Sequence, residues 1–152
     1  MNNFLILPVL IPLLTGALLV LLQPSRRSER YVSGLSVLAL FASVLYVGRA
    51  VSLEGVVTLQ FGAWKAPFGI VFAVDWLSVI MLFFLNLVGV CVVIYSFFKE
   101  SPGEDESSYY YALVMFQLAG VNGALSTGDV FNLFVWYEVM LIASYALLSQ
   151  GG

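Results

Sequence analysis

The chain has 152 residues, of which 61% are hydrophobic and only 10% charged, with a formal net charge of −3. Soluble domains run at roughly 45–50% apolar and about 25% charged, so the composition excludes a water-soluble globular protein, and it is too hydrophobic for a disordered tail. Six basic against nine acidic residues remove the case for nucleic-acid binding by phosphate neutralisation. With no histidine and a single cysteine, Cys91, a disulfide framework, a His/Cys metal site and a haem His ligand are excluded within the chain.

What remains is an all-α polytopic membrane protein. A spanning helix needs roughly 20 mainly apolar residues, and five segments meet or approach that length, at approximately 4–23, 31–51, 72–98, 109–125 and 130–148. They are read as a single membrane unit over residues 1–152. The first carries Pro8 and Pro12, which a spanning helix tolerates where neighbours satisfy the freed carbonyls. No basic stretch precedes it and no small-residue cleavage site follows, so it is read as a span rather than a signal peptide. Pro24–Arg30 reads as a short basic loop after the first helix, and Lys99–Glu106 as an acidic turn after the third. Ser126–Asp129 is a tight connection in which Asp129 is a candidate N-cap for the fifth helix.

Between the second and third helices the pattern changes. VVTLQF and FGIVFAV are rich in β-branched and aromatic residues and flank Gly62–Pro67, so residues 56–74 are expected to form a short extracellular β-hairpin at the membrane surface, with Trp64 at headgroup level. Five spans put Arg26, Arg27, Arg30 and Lys99 on one side and Arg49 and Lys65 on the other. The excess of basic residues marks the cytoplasmic side, which predicts a multi-pass protein with its amino terminus outside and its carboxyl terminus inside.

One charged residue stays deep in the hydrocarbon: Glu138, close to the middle of the fifth helix. A carboxylate there costs about 2.5–3.5 kcal/mol on insertion scales. Its neighbours at helical spacing, Phe134, Val135, Leu141 and Ile142, are apolar. Without a partner it is held largely as the neutral acid; with a cationic partner it stays ionised as a switchable pair. Both states suit a group that takes up and releases protons. No cation lies at comparable depth in this sequence, because Lys65, Lys99 and Arg49 sit in the hairpin, a loop and a helix end. A counter-charge is therefore expected from another polypeptide or from sequence beyond Gly152.

The fourth helix carries small residues four apart, Ala119 with Gly123 and Gly120 with Ala124, the spacing of a close helix seam. Its Gln117 and Asn122 are expected to bond across helices and are candidates, with Asp129, for a proton path. Asn86, Asn132 and Ser144 read in the same way as Gln117 and Asn122. Asp75 and Asp129 are expected as helix caps, a role as entry points for ions from outside being the less favoured alternative. Cys91 is expected to be a buried inert thiol, and Tyr109–Tyr111 an interfacial aromatic belt.

The run Thr127–Leu141, with its GD-x-FNLFV-x-x-E pattern, resembles the family of D-type subunits of Mrp-type multisubunit Na+/H+ antiporters. The resemblance extends to ILPVLIPLLTG, TLQFGAWKAPFGIVFAVD and AGVNGALSTGD. The superfamily includes antiporter-like subunits of NADH:quinone oxidoreductase and of membrane-bound hydrogenases. The resemblance implies a cell-membrane subunit that couples proton movement to Na+ extrusion, with H+ and Na+ as transported ions. It also implies other antiporter subunits as partners, besides the lipid bilayer, and no metal or organic cofactor. It places Glu138 at the family's essential glutamate, which pairs with a lysine on a later, broken helix. Because this chain stops after the fifth helix, it reads as an amino-terminal portion of such a subunit. Two further readings stay open: a proton-translocating membrane-arm subunit of a respiratory NADH:quinone oxidoreductase or membrane-bound hydrogenase, and a truncated, transport-inactive scaffold fragment.

Overall fold

A computed structural model describes residues 3–61, 69–99 and 109–150. A short 3-10 helix (Asn3–Ile6) leads into α1 (Leu7–Leu22), α2 (Arg26–Glu54), β1 (Val57–Gln60), β2 (Val71–Val74), α3 (Trp76–Lys99), α4 (Tyr110–Ser126) and α5 (Val130–Gln150). Four helical stretches among the described residues are long and apolar enough to cross a bilayer: Asn3–Leu22, Arg26–Glu54, Trp76–Phe98 and Val130–Ser149. The fourth helix, α4, is shorter at 17 residues, or about 25 Å at 1.5 Å per residue.

The short helix is the central one. α4 packs against α1, α3 and α5, while α2 packs against α1 and α3. Ten of its 17 residues are buried, from Tyr111 to Ser126. A helix enclosed on several sides presents its polar and small residues to other helices, which explains why this one carries Gln117, Gly120, Asn122 and Gly123. Two apolar clusters hold the bundle. One gathers Leu5, Val44, Val51, Val57, Phe72 and Leu82 at the hairpin end. The other gathers Leu19, Leu40, Val93, Tyr111, Met115 and Leu118 toward the opposite end.

The expected hairpin is present as two antiparallel strands, with Val57 opposite Val74 and Gln60 opposite Val71. Its turn, including Trp64 and Lys65, lies outside the described residues. Thr127 forms an antiparallel bridge to Phe72, and Gly128 donates its N–H to the Val71 carbonyl at 2.7 Å. The end of α4 is thereby tied to the strand that leads into α3. The starts of α1, α3 and α5 and the ends of α2 and α4 consequently share one end of the bundle.

Several local expectations change. Residues 72–74 belong to β2 rather than to the third helix, because they are paired in the sheet and the helix starts only after Asp75. The basic loop is shorter than expected: Arg26–Arg30 form the first turn of α2, and only Gln23, Pro24 and Ser25 separate it from α1. Gln23 adopts a left-handed conformation with φ of 41°, and its N–H closes the helix on the Leu19 carbonyl at 3.2 Å. Of the three tyrosines, Tyr111 faces other helices rather than outward; it is buried, packed near Phe97 with ring centroids 6.2 Å apart. Cys91 is exposed on α3 rather than buried, since α4 covers α3 through Asn86, Gly89 and Val93 on its other faces.

Candidate functional site

Two helix starts at the hairpin end of the bundle are capped by carboxylates. Asp75 Oδ1 accepts the Ser78 N–H at 2.8 Å, which holds this exposed carboxyl below the ordinary carboxylate range. Asp129 does more. Its Oδ1 accepts the Asn132 N–H at 2.6 Å and its Oδ2 accepts the Val71 N–H at 2.9 Å. One carboxylate therefore caps α5 and ties it to β2. Asn132, expected to bond across helices, donates instead to Thr127 Oγ1 at 3.0 Å within the same turn.

From this anchor α5 lies against α4. A Cβ on Gly123 would overlap the Trp136 indole, and one on Gly120 would come within 3.0 Å of the Met140 backbone. The expected small-residue seam is therefore real, and it faces α5. Because the two helices run antiparallel, Glu138, midway between Trp136 and Met140, is level with Val121 and Asn122.

At that level Asn122 bonds across to α3. Asn86 Nδ2 donates to Asn122 Oδ1 at 2.7 Å, and Asn122 Nδ2 returns a bond to Asn86 Oδ1 at 3.1 Å. The second N–H of each amide goes to its own helix, to Leu82 O and Leu118 O, both at 2.7 Å. All four amide hydrogens are used, and both residues are buried. Gln117 differs, because its Oε1 is buried without a hydrogen-bond partner. The Trp136 Nε1 is buried and unpartnered as well.

Glu138 points the other way. Asn132, Trp136, Met140 and Ala143 face α4, and at 100° per residue Glu138 falls nearly opposite them. Its face of α5 is exposed at Phe131, Phe134, Val135, Leu141, Ile142 and Tyr145. Of the four spanning stretches this one is the least covered, with 11% of its residues buried against 39% for α1 and α2. Glu138 makes no hydrogen bond or ion pair among the described residues. It is also the only Asp, Glu, Lys or Arg among them more than two turns from a helix end. Nine residues into a 21-residue helix, it sits about 12 Å from Val130, near mid-depth.

The four residues singled out from sequence are not joined. Asn122 faces α3, Asp129 belongs to the hairpin junction, Gln117 lies elsewhere on α4, and Glu138 faces outward. No group of three or more Cys, Asp or Glu among the described residues is placed to hold a metal ion. Sequence reasoning passed over Trp136, whose only signal was its place one turn before Met140 on the face opposite a glycine seam.

The chain is 43% identical over 152 residues to the D-type subunit of the Na+/H+ antiporter of Alkalihalophilus pseudofirmus, a match covering all of this chain and 31% of that protein. It is 44% identical over 154 residues to the corresponding Na+/H+ antiporter protein of Bacillus subtilis, again over 31% of its length. This chain is a homologue of the D-type subunit of Na+/H+ antiporters. It spans about a third of the length of these relatives. A chain of the Mrp complex from Dietzia superposes with a TM-score of 0.82 at 33% identity, covering 97% of this chain and 27% of that one. A chain of an archaeal membrane-bound sulfane sulfur reductase superposes with a TM-score of 0.84 at 22% identity, a likeness of fold alone. No family model matches.

Proposed function

We propose that this antiporter-subunit homologue works within a multisubunit Na+/H+ antiporter of the cell membrane and that Glu138 is its proton-coupling carboxylate. One observation carries the reading: among the described residues, the only ionisable acid or base near the middle of a span, Glu138, projects without a partner from the uncovered face of the least covered span. Intramembrane acids normally face a bundle interior or a water-filled cavity, so this face is where a further helix bearing a cation docks. Protonation of Glu138 then removes its attraction to that cation, and the freed cation passes the change on along the membrane plane. A proton moving inward gains about 2.3 kcal/mol per 100 mV of membrane potential, which biases Na+ expulsion elsewhere in the complex.

Orientation belongs to the same proposal. The end bearing Arg26, Arg27, Arg30 and Lys99 is placed inside, and the hairpin and Asp129 outside. Asp129 then stands at the outer end of α5, nine positions before Glu138 and about 13.5 Å away along the helix. On a proton path, Gln117 has a free acceptor for a bound water, whereas Asn122 is committed to Asn86. The respiratory membrane-arm alternative is supported by likeness of fold alone.

The test is Na+/H+ exchange in everted vesicles carrying the complete complex. Glu138→Ala is expected to abolish exchange while the protein remains at normal abundance. Normal exchange by that variant would sink the proposal and favour the scaffold reading.

A further inference from the structure

Glu138 has four neighbours at helical spacing on α5: Phe134 and Val135 one turn toward the hairpin end, Leu141 and Ile142 one turn toward the other. All four are exposed, and of them only Phe134 carries a π face. It stands four residues before Glu138 and about 40° round the helix, which sets the two Cβ atoms about 5–6 Å apart. Side chains on a helix lean toward its start, so the Glu138 carboxylate extends back over the turn that holds Phe134. Tyr137, the adjacent aromatic, projects about 100° away, and neighbours in sequence do not face one another on a helix. Among the described residues Phe134 pairs with no other ring, and it is 62% exposed. Its ring is thus presented on the same uncovered surface as the carboxylate.

The surroundings of Glu138 are therefore lopsided, with an aromatic quadrupole on the hairpin side and aliphatic side chains on the other. The face of an aromatic ring attracts an ammonium or guanidinium group within about 6 Å of its centroid, most strongly where water is excluded. A cation that meets the carboxylate gains from Phe134 and gains nothing of the kind from Leu141 or Ile142. We propose that Phe134 positions the cation that pairs with Glu138, holding it on the hairpin side of the carboxylate. The inference rests on the proposed proton-coupling role of Glu138 and adds a second contact to that site. Phe134 exchanges no proton itself, so it is a positioning residue.

The test replaces Phe134 by mono-, di- and trifluorophenylalanine in the complete complex and measures Na+/H+ exchange in everted vesicles, divided by the amount of subunit present. Each fluorine drains the negative face of the ring with little change of shape, so a packing role predicts a flat series. Exchange is expected to fall stepwise, by about threefold in total. The same series at Phe131, two turns before Glu138 and about 10.5 Å from it along the helix, is expected to be flat. A flat series at Phe134, or an equal fall at Phe131, overturns the proposal. So does a rise, since a fluorinated ring would then be attracting the carboxylate itself. Glu138→Ala, assayed alongside, separates the two readings. Normal exchange by that variant removes the coupling role of Glu138, whereas lost exchange together with a flat Phe134 series removes only the role of Phe134.

Discussion

Two polar features share one depth in this bundle and are treated in opposite ways. The Asn86–Asn122 pair is buried, and every amide hydrogen is spent on the partner or on its own helix. Glu138, level with it across α4, is displayed outward with no partner among the described residues. A polar group without water at mid-depth is tolerable only when satisfied. The amides meet that requirement within the chain and lock α3 to α4. The carboxylate does not meet it among the described residues, which is why the proposed function gives it a contact outside them. Intramembrane polarity thus separates into a part that joins the helices and a part that the described helices leave uncovered, and the proposed proton-coupling role falls on the second.

This contrast fails first if the seam that sets the common level is wrong. Replacing Gly123 by leucine drives a side chain into the Trp136 ring. It is expected to cost about 3 kcal/mol, measured by unfolding in mixed detergent micelles; a neutral result would mean that α4 and α5 do not meet there. The amide pair comes next. Asn86→Leu leaves Asn122 buried with an unmet donor and acceptor, an expected loss of about 1–2 kcal/mol. The double variant Asn86→Leu/Asn122→Leu should lose less than the sum of the single changes, which a double-mutant cycle resolves. Asp129→Ala removes a cap and a strap together, for about 1 kcal/mol, and hydrogen exchange at the Val71 amide should accelerate with it. The smallest stability effect is expected at Glu138, where Glu138→Gln should shift unfolding by less than about 0.5 kcal/mol.

Much of this was legible in the residues because the bilayer is a strict solvent. Apolar length alone located the helices to within a few residues, β-branched and aromatic runs located the hairpin, and Asp75 and Asp129 announced the starts of α3 and α5, which they cap by accepting the Ser78 and Asn132 N–H groups. The glycine spacing on α4 revealed a seam but not its partner, since small residues permit close approach without choosing a neighbour. For the same reason Asn86 and Asn122 were each readable as interhelical amides, while their pairing was not. Tyr111 and Cys91 failed for a shared cause: hydropathy reports depth in the membrane, whereas burial depends on which face of a helix meets another. Glu138 was the most legible residue of all, because no other described helix carries a charge so far from its ends.

Infrared difference spectroscopy of the complete complex, recorded as Na+ is added and withdrawn, addresses the role of Glu138 most directly. A proton-coupling Glu138 predicts a carboxyl band that changes intensity with Na+, disappears in Glu138→Gln and survives in the Asn86→Leu/Asn122→Leu variant. A Glu138 band indifferent to Na+ would contradict that role.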